Sequence, residues 1–396
     1  MRIGIDSYFL RWPYSGIGQV TSQFLRSLDT PAHSGHEFFL YIDQETPETF
    51  SGNFHKRLLP PKYQHDVRPK KWALSRKWWE MVQVPAAVRR DRCDALISLY
   101  QTATVMPAKF PHVMLVHDIM FALLPSCRDR FYKRIVLWLT LRGIRRAGRC
   151  VAVSNSTKAE MVGHLGMGGE KITVAHIAAD PRFAAGLRTE DIQPVLQKYG
   201  LTPGYICHGG GLHERKNGPA VLEAYAILVA RSKAGNLPCP LPPLVIYGKL
   251  ASDIYGTDFE RLARNLGIWD RITSTDWVPQ SELPALYSAA SMFVYPSGYE
   301  GFGLPVLEAM HQGTPVITTR LTSLPEVGGD AVLYCDPEKP AELAETMIRL
   351  LVNRELREDL SRRAQERAKL FSWDSFKGAL MDITTRMVEE SRSARH

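Results

Sequence analysis

The sequence predicts an α/β protein made of two doubly wound domains, and three observations lead to that expectation. The chain has 396 residues, which exceeds the size at which a single hydrophobic core keeps growing. Short β-branched or apolar segments alternate with amphipathic helical patterns along the chain, as they do in parallel sheets covered by helices. The alternation restarts after residue 203, so we expect two such sheets in succession.

The predicted strands fall into two series. The first series lies near residues 3–6, 37–42, 95–99, 113–116, 149–153 and 172–176, with helices between them such as 18–28 and 131–146. The second lies near residues 205–208, 243–247, 272–274, 292–295, 316–318 and 332–334. Proline and glycine punctuate the stretch between the two series. We therefore place a first domain at 1–180, a linker or hinge at 181–203 and a second domain at 204–372.

Composition excludes several classes of protein. Hydrophobic residues make up 45% of the chain and charged residues 23%, which is ordinary for a globular protein and unlike a disordered or collagen-like chain. The six cysteines lack the spacing of a metal site or a disulfide framework, so we expect neither. No apolar segment approaches the roughly 20 residues that span a bilayer, and the first residues lack the apolar core of a signal peptide. We therefore expect a cytoplasmic protein.

The net charge of +8 is concentrated in one segment. Residues 56–92 contain eleven basic and three acidic residues, with three tryptophans among them. This mixture is typical of a membrane-interface patch, and we expect no nucleic-acid partner. The alternative is a solvated helix face whose aromatic side chains pack inward. The candidate membrane or acceptor patch consists of Lys70, Lys71, Trp72, Arg76, Lys77, Trp78 and Trp79.

The densest functional signal follows the predicted strand at 292–295. Residues 299–310 read Tyr-Glu-Gly-Phe-Gly-Leu-Pro-Val-Leu-Glu-Ala-Met, where the glycines allow a tight turn and the proline suits the first turn of a helix. A helix N-terminus at a strand end offers amide donors to a phosphate, and the carboxylates of Glu300 and Glu308 can each accept hydrogen bonds from two sugar hydroxyls. The alternatives are the acid and nucleophile of a glycosidase, or two glutamates favoured only by the helix dipole. The glycine-flanked junction favours a functional site.

A second glycine-rich segment, residues 207–217, also joins a predicted strand to a helix. Gly210 and Gly211 allow a diphosphate to approach the backbone closely, and Lys216 at the helix start can place a point charge on it. The alternative is a flexible turn with a solvated Arg-Lys pair.

Two positions in the first half also follow predicted strands. Gly16 and Gly18 open a helix after the first strand, without the spacing of a dinucleotide-binding fingerprint. His117 and Asp118 end another predicted strand, at the edge of the sheet where ligands bind, although a lone histidine is often structural.

With these segments in order, the chain resembles the retaining glycosyltransferases of family 4. That family has the GT-B fold, in which two Rossmann-like domains face a central cleft. Glu300 and Glu308 match its Glu-x7-Glu signature. Further matching segments follow along nearly the whole chain: Gly-Ile-Gly at 16–18, Val-His-Asp at 116–118, Val-Ser-Asn-Ser-Thr-Lys at 153–158, Arg-Lys-Asn at 215–217, Ser-Leu-Pro-Glu-Val-Gly-Gly-Asp-Ala at 323–331 and Phe-Ser-Trp at 371–373. The chain resembles bacterial mannosyltransferases that build O-antigen, exopolysaccharide or related glycans.

The resemblance implies a role for each matching residue. Glu300 is expected to contact hydroxyls of the donor sugar, and Glu308 is expected to hold the ribose hydroxyls of the nucleotide. Lys216 is expected to neutralise the diphosphate, and His117 is expected to contact the donor sugar near the reacting carbon. Further contacts with the donor are expected at Gly16, Gly18, Gly210, Gly211, Arg215, Gly301, Phe302, Gly303 and Leu304.

The resemblance also implies the reaction. The expected activity is retaining transfer of a hexose, mannose from GDP-mannose, onto a glycan or a polyprenyl-diphosphate-linked acceptor in bacterial surface polysaccharide synthesis. No metal or other cofactor is expected. A helix at about 373–396 is expected to pack back on the first domain, and a peripheral position on the inner face of the cytoplasmic membrane is consistent with such a role.

The sequence departs from the family in the segment upstream of Lys216. Many relatives have Gly-Arg-Leu where this chain has Gly-Gly-Leu at 210–212, so Arg215 is a candidate for the missing cation. Three alternatives to a mannosyltransferase stay open. They are a UDP-sugar-dependent glucosyl-, galactosyl- or N-acetylglucosaminyltransferase of the same fold, a phosphorylase or hydrolase, and a non-catalytic scaffold at the membrane.

Overall fold

The computed structural model describes residues 1–61, 69–123, 129–209, 214–248 and 258–394. The chain forms two compact units. Unit 1 comprises Met1–Ile177 and Ser372–His396, and unit 2 comprises Ala178–Phe371. Each unit is built on a parallel β-sheet, which confirms the expected α/β fold class.

The sheet of unit 1 has seven strands in the described part of the chain, in the order β3-β2-β1-β4-β5-β6-β7. Its central strands are buried along most of their length because helices cover both faces of a parallel sheet. The strands are β1 (Arg2–Asp6), β2 (Glu37–Ile42), β3 (Phe54–Leu58), β4 (Ala95–Ser98), β5 (His112–Val116), β6 (Arg149–Ala152) and β7 (Ile172–Val174).

The helices of unit 1 include one from the C-terminal part of the chain. That helix packs on α1 and on strands β4 and β5, and the ring of Phe376 meets the ring of Phe24 edge-on at 5.9 Å. The helices are α1 (Gly16–Leu28), α2 (Pro69–Trp78), α3 (Val84–Arg90), α4 (Met120–Leu123), α5 (Phe131–Arg146), α6 (Asn155–Leu165) and α16 (Trp373–Ser393). A π turn, Trp79–Gln83, joins α2 to α3, so that residues 69–90 run as one continuous helical segment.

The sheet of unit 2 has six described strands in the order β10-β9-β8-β11-β12-β13. These strands are β8 (Ile206–Gly209), β9 (Leu244–Tyr247), β10 (Ile272–Asp276), β11 (Met292–Tyr295), β12 (Val316–Thr319) and β13 (Leu333–Cys335). The helices are α7 (Pro181–Ala184), α8 (Thr189–Lys198), α9 (Gly218–Lys233), α10 (Phe259–Asn265), α11 (Leu283–Ala289), α12 (Leu304–His311), α13 (Leu324–Gly328), α14 (Pro340–Val352) and α15 (Arg354–Ala368).

The segment 181–203, expected as a linker, contains two helices that pack within unit 2. Helix α8 packs on α11, and α7 packs on α12. Leu196 of α8 and Phe183 of α7 are buried, because both helices turn their apolar side chains toward unit 2. Pro181 therefore opens a short helix, whereas Pro194 lies inside α8.

Among the described helices, none combines the length and the apolar character needed to cross a membrane.

Candidate functional site

Two loops of unit 2 follow adjacent strands of the sheet and are tied to each other. A short 3-10 turn, Glu214–Lys216, lies after β8, and residues 296–303 follow β11. The carbonyl oxygen of Arg215 accepts hydrogen bonds from the backbone N–H of Gly298 at 2.6 Å and from the hydroxyl of Ser297 at 3.1 Å. Because β8 and β11 are neighbours, the carboxyl ends of the two strands bring both predicted motifs to one edge of the sheet.

Glu300 is held in place through one of its two carboxylate oxygens. Its Oε1 accepts hydrogen bonds from the hydroxyl of Tyr295 at 2.6 Å and from the hydroxyl of Ser297 at 3.0 Å, and it pairs with the guanidinium of Arg215. In the part of the chain that the structure describes, Oε2 accepts no hydrogen bond. This second oxygen is available to accept hydrogen bonds from a ligand.

Lys216 is a buried cation beside Glu300. Its ammonium nitrogen lies 5.7 Å from the ring centre of Tyr295, the residue that donates to Glu300. Burial lowers the pKa of Lys216 to about 8, although the negative charge of Glu300 opposes that shift. The carboxylates around Lys216 therefore compensate only part of the cost of burying its charge, so an anionic ligand would be stabilised here.

Glu308 lies in the second turn of α12 and is buried. Its Oε1 accepts a hydrogen bond from the side-chain amide of Gln280 at 3.1 Å, and the hydroxyl of Tyr287 lies 3.4 Å from Oε2. Burial raises the pKa of Glu308 to about 7. The side chain therefore changes between its protonated and ionised forms near neutral pH.

The backbone between Glu300 and α12 has a conformation that needs glycine at one position. Gly303 caps α12 with φ of 109°, and a β-carbon there would lie 2.9 Å from a methyl group of Leu324. Gly301 and Leu304 lie on either side of this turn and are half-buried. The ring of Phe302 is buried edge-on against Phe371 at 5.6 Å, so its backbone is the part available to a ligand.

Several residues that shape this site were not predicted as site residues. The hydroxyl of Ser323 donates to the carbonyl oxygen of Glu300 at 2.9 Å, and the hydroxyl oxygen of Thr322 accepts a hydrogen bond from the backbone N–H of Glu300 at 3.0 Å. Tyr295 is the last residue of β11 and Ser297 lies just after it, so their position at the end of a buried strand was the signal that could have identified them. Gln280 and Tyr287 come from a separate segment, and nothing in their local sequence links them to Glu308.

The predicted donor contacts at Gly210 and Gly211 lie outside the described residues. Arg215 is described, and its guanidinium donates to the carbonyl oxygen of Tyr299 at 2.9 Å as well as pairing with Glu300. The structure thus brings together Arg215, Lys216, Glu300 and Gly301–Leu304 of the predicted site, with Glu308 in the helix that follows.

The predicted site residues of unit 1 lie at the ends of β1 and β5. The hydroxyl oxygen of Ser15 caps α1 by accepting a hydrogen bond from the backbone N–H of Gly18 at 3.1 Å. A β-carbon on Gly18 would lie 1.8 Å from the carbonyl oxygen of Trp12, whereas Gly16 has open space beside it and is exposed. Gly18 is therefore required by packing, and Gly16 is the position open to a ligand.

His117 is buried immediately after β5. Its Nε2 lies 2.9 Å from the carbonyl oxygen of Leu99 and therefore donates a proton to it. Burial lowers the pKa of His117 to about 4, so the ring is neutral at physiological pH and Nδ1 is its acceptor atom. The side chain can accept a hydrogen bond from a ligand hydroxyl but carries no charge.

The predicted membrane or acceptor patch is wrong for three of its residues. Arg76 and Lys77 turn inward because Glu80 is fully buried in the π turn and needs cations beside it. The Lys77 ammonium lies 2.6 Å from one oxygen of Glu80, and the Arg76 guanidinium lies 3.0 Å from the other. Trp79 is buried in the core and donates its indole N–H to the carbonyl oxygen of Leu59 at 2.7 Å.

The remaining residues of the predicted patch differ in their exposure to solvent. Lys71 and Trp78 are exposed, as predicted. Trp72 is half-buried, with its ring 6.4 Å from that of Trp12. Lys70 lies in the first turn of α2, and its side chain is outside the described ones.

A cavity of about 350 Å³ lies between α2 and α5 in unit 1. Apolar side chains of Trp72, Phe121, Val136 and Leu137 form much of its wall. Gln101 also lines the cavity, and its side-chain oxygen lies 3.4 Å from the backbone nitrogen of His117. The cavity therefore reaches the strand end that carries His117.

Across the described ranges, no group of three or more His, Cys, Asp or Glu side chains is arranged to hold a metal ion.

The two parallel sheets and the residues at their strand ends are features that identify a class of protein. In unit 2, a glycine-capped helix start, a buried lysine and two glutamates follow the neighbouring strands β8 and β11. Residues 14–183 match the family model "Glycosyltransferase Family 4", and residues 193–367 match the model "Glycosyl transferases group 1". The chain belongs to the family 4 glycosyltransferases.

Curated relatives agree with this family. The chain is 33% identical over 262 residues to the O-antigen chain mannosyltransferase B of Escherichia coli, covering 65% of this chain and 66% of that protein. It is 28% identical over 254 residues to the serotype-specific mannosyltransferase WbdA of Escherichia coli, covering 64% of this chain and 30% of that protein. The chain thus spans less than two thirds of the length of these relatives.

Solved structures share the fold along nearly the whole chain. The structure of WaaG, a glycosyltransferase involved in lipopolysaccharide biosynthesis, has a TM-score of 0.73 at 18% identity and covers 97% of this chain and 100% of that chain. The structure of HepE from Anabaena in complex with UDP and glucose has a TM-score of 0.70 at 15% identity and covers 97% of this chain and 99% of that chain.

Proposed function

We propose that this chain is a retaining mannosyltransferase that transfers mannose from GDP-mannose onto a glycan or a polyprenyl-diphosphate-linked acceptor during bacterial surface polysaccharide synthesis. The observation that carries the transferase part of the proposal is the joined pair of loops that places Lys216 beside Glu300 at one edge of the unit 2 sheet. The choice of mannose is supported by the similarity to the two mannosyltransferases of Escherichia coli.

The donor diphosphate is assigned to Lys216 and the start of α12. A buried ammonium group with a lowered pKa gains stability when an anion approaches it. The backbone N–H groups that open α12 and its dipole add further positive potential. Together they supply the charge that a leaving diphosphate requires, so we propose that the reaction needs no metal ion.

The two glutamates are assigned to different parts of the donor. Oε2 of Glu300 faces no competing donor among the described residues, so it can accept hydrogen bonds from hydroxyls of the transferred sugar. Glu308 is assigned to the ribose hydroxyls of the nucleotide. Its ionised form is the better acceptor for these hydroxyls, and its position in α12 places it in the same motif as the diphosphate contacts.

The transfer step needs no reactant other than the sugar donor and the acceptor. The bond between the sugar carbon and the diphosphate oxygen breaks, and a bond forms between the same carbon and the acceptor hydroxyl oxygen. The departing phosphate accepts the acceptor's proton on the same face, so the anomeric configuration is retained. His117 is neutral, and we assign it to a hydrogen bond with the donor sugar rather than to charge stabilisation.

Nucleotide binding by calorimetry tests the choice of donor. We expect selective binding of GDP and GDP-mannose over UDP, ADP and their sugar conjugates. Selective binding of UDP would keep the transferase and replace mannose with the sugar of a UDP donor. A folded sample that binds no nucleotide would favour the non-catalytic scaffold.

Substitutions test the assigned residues. Lys216→Ala and Glu300→Ala should each lower the rate of GDP release from GDP-mannose by at least about 100-fold, because each removes an interaction with charge or hydroxyls at the reacting end of the donor. Lys233→Ala and Glu355→Ala, which change exposed residues of the same unit, are the matched controls and should retain wild-type rates. A near-normal rate in a folded Lys216→Ala or Glu300→Ala variant would remove that residue from the site.

A further inference from the structure

Glu308 is linked through Tyr287 to a second buried tyrosine. The hydroxyl oxygens of Tyr247 and Tyr287 lie 2.6 Å apart, and the hydroxyl of Tyr287 lies 3.4 Å from Oε2 of Glu308. Both tyrosines are buried, Tyr287 in α11 and Tyr247 at the end of β9. On the other side of the carboxylate, the side-chain amide of Gln280 donates to Oε1 at 3.1 Å. Side chains from separate segments of unit 2 therefore form one chain of polar contacts.

The surrounding packing fixes both tyrosine rings. A β-carbon on Gly209, at the end of β8, would lie 2.3 Å from the ring of Tyr247, so that ring rests directly against the backbone of the neighbouring strand. The ring of Tyr287 meets that of Phe293 edge-on at 5.0 Å. The carbonyl oxygen of Tyr287 also accepts a hydrogen bond from the hydroxyl of Thr314 at 2.7 Å. The two hydroxyl groups therefore have little freedom to leave their polar partners.

The charge of Glu308 sets the direction in which the tyrosine hydroxyls donate. An ionised carboxylate can only accept hydrogen bonds, so Tyr287 donates to Glu308 and Tyr247 in turn donates to Tyr287. In this order each hydroxyl polarises the next, which makes it a better donor. A protonated carboxyl has a proton of its own to donate and accepts less strongly. The pair of tyrosines therefore favours the ionised form of Glu308.

Burial and charge also act on this carboxylate. Burial raises the pKa of Glu308 to about 7, and the carboxylate of Asp180 adds to that rise. The hydrogen bonds from Gln280 and Tyr287 and the charge of Lys216 act in the opposite direction and lower the pKa. Without the two hydrogen bonds, the carboxyl group would hold its proton to still higher pH.

Further charged and titratable groups lie on the elements packed around α12. Arg182 donates to the two oxygens of Asp180 at 2.9 and 2.8 Å, and the pKa of Arg182 is raised by Asp180 and, to a smaller extent, by Glu308. The other elements packed on α12 carry Tyr295 in β11, Glu326 in α13 and Arg367 in α15. The hydroxyl of Tyr295 donates to Glu300, and the guanidinium of Arg367 donates to backbone oxygens of α13.

The carboxylate of Glu308 keeps acceptor positions for a ligand. An ionised carboxylate offers about four lone-pair positions on its two oxygens. Gln280 takes one position on Oε1 and Tyr287 takes one on Oε2, and within the described residues no other group donates to this side chain. Each oxygen can therefore accept a further hydroxyl, which matches the two neighbouring hydroxyls of a ribose.

We propose that two tyrosines and a glutamine position Glu308 for a nucleoside diphosphate. Tyr247, Tyr287 and Gln280 hold its carboxylate ionised and turned so that one lone pair of each oxygen faces a ribose hydroxyl. They are positioning residues, because they act through Glu308 and are assigned no contact with the diphosphate or the transferred sugar. The proposal rests on the assignment of Glu308 to the ribose under the proposed function.

A comparison of two ligands isolates the ribose contact. The nucleoside diphosphate that the wild type binds better, GDP or UDP, is compared by calorimetry with its 2′,3′-dideoxy form, which lacks both ribose hydroxyls. We expect the wild type to prefer the complete nucleotide by at least about tenfold near neutral pH, because an ionised acceptor forms strong hydrogen bonds. The diphosphate is the same in both ligands, so the titration of Lys216 cancels from this ratio.

Substitution of the positioning residues should reduce the ribose preference. Tyr287→Phe and Gln280→Met keep a similar volume and remove the donor, so each should lower the preference by at least about threefold. Tyr247→Phe should have a smaller effect in the same direction, because Tyr287 still donates to Glu308.

The dependence on pH separates positioning from a merely structural role. The wild-type preference should decrease as the pH falls through about 7, because the carboxylate of Glu308 becomes protonated. In Tyr287→Phe and Gln280→Met, this decrease should begin at least about 0.5 pH units higher, because a contact that lowers the pKa of Glu308 is gone.

Tyr225→Phe is the matched control. It removes the hydroxyl of another buried tyrosine of unit 2, which donates to the carbonyl oxygen of Pro242 at 2.8 Å. This variant should keep the ribose preference and the pH dependence of the wild type, even if its stability falls. Circular dichroism and urea denaturation establish that each variant is folded under the conditions of the binding measurements.

The possible failures point to different assignments. Folded Tyr287→Phe and Gln280→Met variants with the full ribose preference would overturn the positioning role and leave the proposed function in place. An equal loss in Tyr225→Phe would also overturn it, because any disturbed packing would then suffice. A wild type that binds both ligands equally would remove Glu308 from the ribose, and with it this proposal, but not the transferase. A folded wild type that binds no nucleoside diphosphate would overturn this proposal and the proposed function together.

Discussion

Lys216 and Glu308 are buried ionisable residues of unit 2 whose pKa values are shifted in opposite directions by the same cause. Burial penalises the charged form of each, so the pKa of Lys216 falls to about 8 and that of Glu308 rises to about 7. Both shifts bring the pKa of the side chain close to neutral pH. Perturbed pKa values of this kind are common at functional sites and uncommon at ordinary surface positions.

The substitution Glu308→Gln should stabilise the protein at alkaline pH. The unfolded carboxyl titrates near 4.5 and the folded one near 7, so the folded state holds its proton to higher pH. The contribution of Glu308 to the free energy of unfolding is therefore fully present below about pH 4.5 and is lost as the pH rises through about 7. At pH 8, we expect the free energy of unfolding of the Glu308→Gln variant to exceed that of the wild type by about 1–3 kcal/mol.

Urea denaturation at pH 4.5 and pH 8 measures this difference. The gap between the two proteins should be small at the lower pH and large at the higher one. A gap of equal size at both pH values would show that Glu308 titrates normally in the folded state.

The sequence predicted that Lys216 and Glu300 lie at one edge of the sheet, but it did not predict the residues that hold them in place. Lys216 and Glu300 follow strands, and neighbouring strand ends meet at one edge of a parallel sheet, so their proximity follows from the fold class. The contact between Glu308 and Gln280 depends on how distant segments pack, which no local pattern encodes. Arg215 was proposed as a substitute for the arginine that many relatives carry upstream of Lys216. The structure shows the guanidinium of Arg215 paired with Glu300.

At the scale of elements, the buried strands were predicted well and one edge strand was missed. The bounds of β2 and β11 match their predicted ranges because both segments are apolar and sharply bounded. Strand β3 was missed because its sequence, Phe-His-Lys-Arg-Leu, reads as polar and lies at the edge of the sheet.

The inclusion of Arg76 and Lys77 in the membrane or acceptor patch was also wrong, and a single acidic residue explains why. The basic run suggested a solvent-facing patch, yet Glu80 lies three residues after Lys77 and four after Arg76. These are the spacings at which side chains meet on a helix, so the acidic residue within the run was a signal that the two cations face inward.

The start of α1 provides a matched pair of glycine substitutions. Gly18→Ala places a β-carbon against the carbonyl oxygen of Trp12, so we expect a loss of about 1–3 kcal/mol in the free energy of unfolding. Gly16→Ala adds the same atom where space is open, and its effect should stay within about 0.5 kcal/mol. Chemical denaturation of both variants measures the difference, and equal losses would contradict the close approach at Gly18.

At the scale of the whole molecule, unit 1 depends on a helix that is distant in sequence. Helix α16 buries Phe376, Leu380, Met381, Ile383 and Val388, and it packs on α1 and on strands β4 and β5. These apolar side chains belong to the core of unit 1, although unit 2 separates them from the rest of that unit in the sequence.

The substitution Phe376→Ala should destabilise unit 1 without changing unit 2. It removes the ring that meets Phe24, which costs about 3–5 kcal/mol in a buried site. Scanning calorimetry should show a lower transition temperature for unit 1, while nucleotide binding by unit 2 persists. Leu370→Ala changes a residue that is 70% exposed just before this helix and serves as the control. An unchanged thermal profile for Phe376→Ala would contradict the packing of α16.

The return of α16 to unit 1 also has a consequence for biosynthesis. The ribosome produces the strands of unit 1 first, but the apolar surface that α16 covers stays open until residues 373–393 have emerged. Unit 2 is continuous and can complete its core earlier. The domain translated second is therefore expected to finish folding first, and the nascent chain carries an exposed apolar surface that chaperones can bind for most of its synthesis.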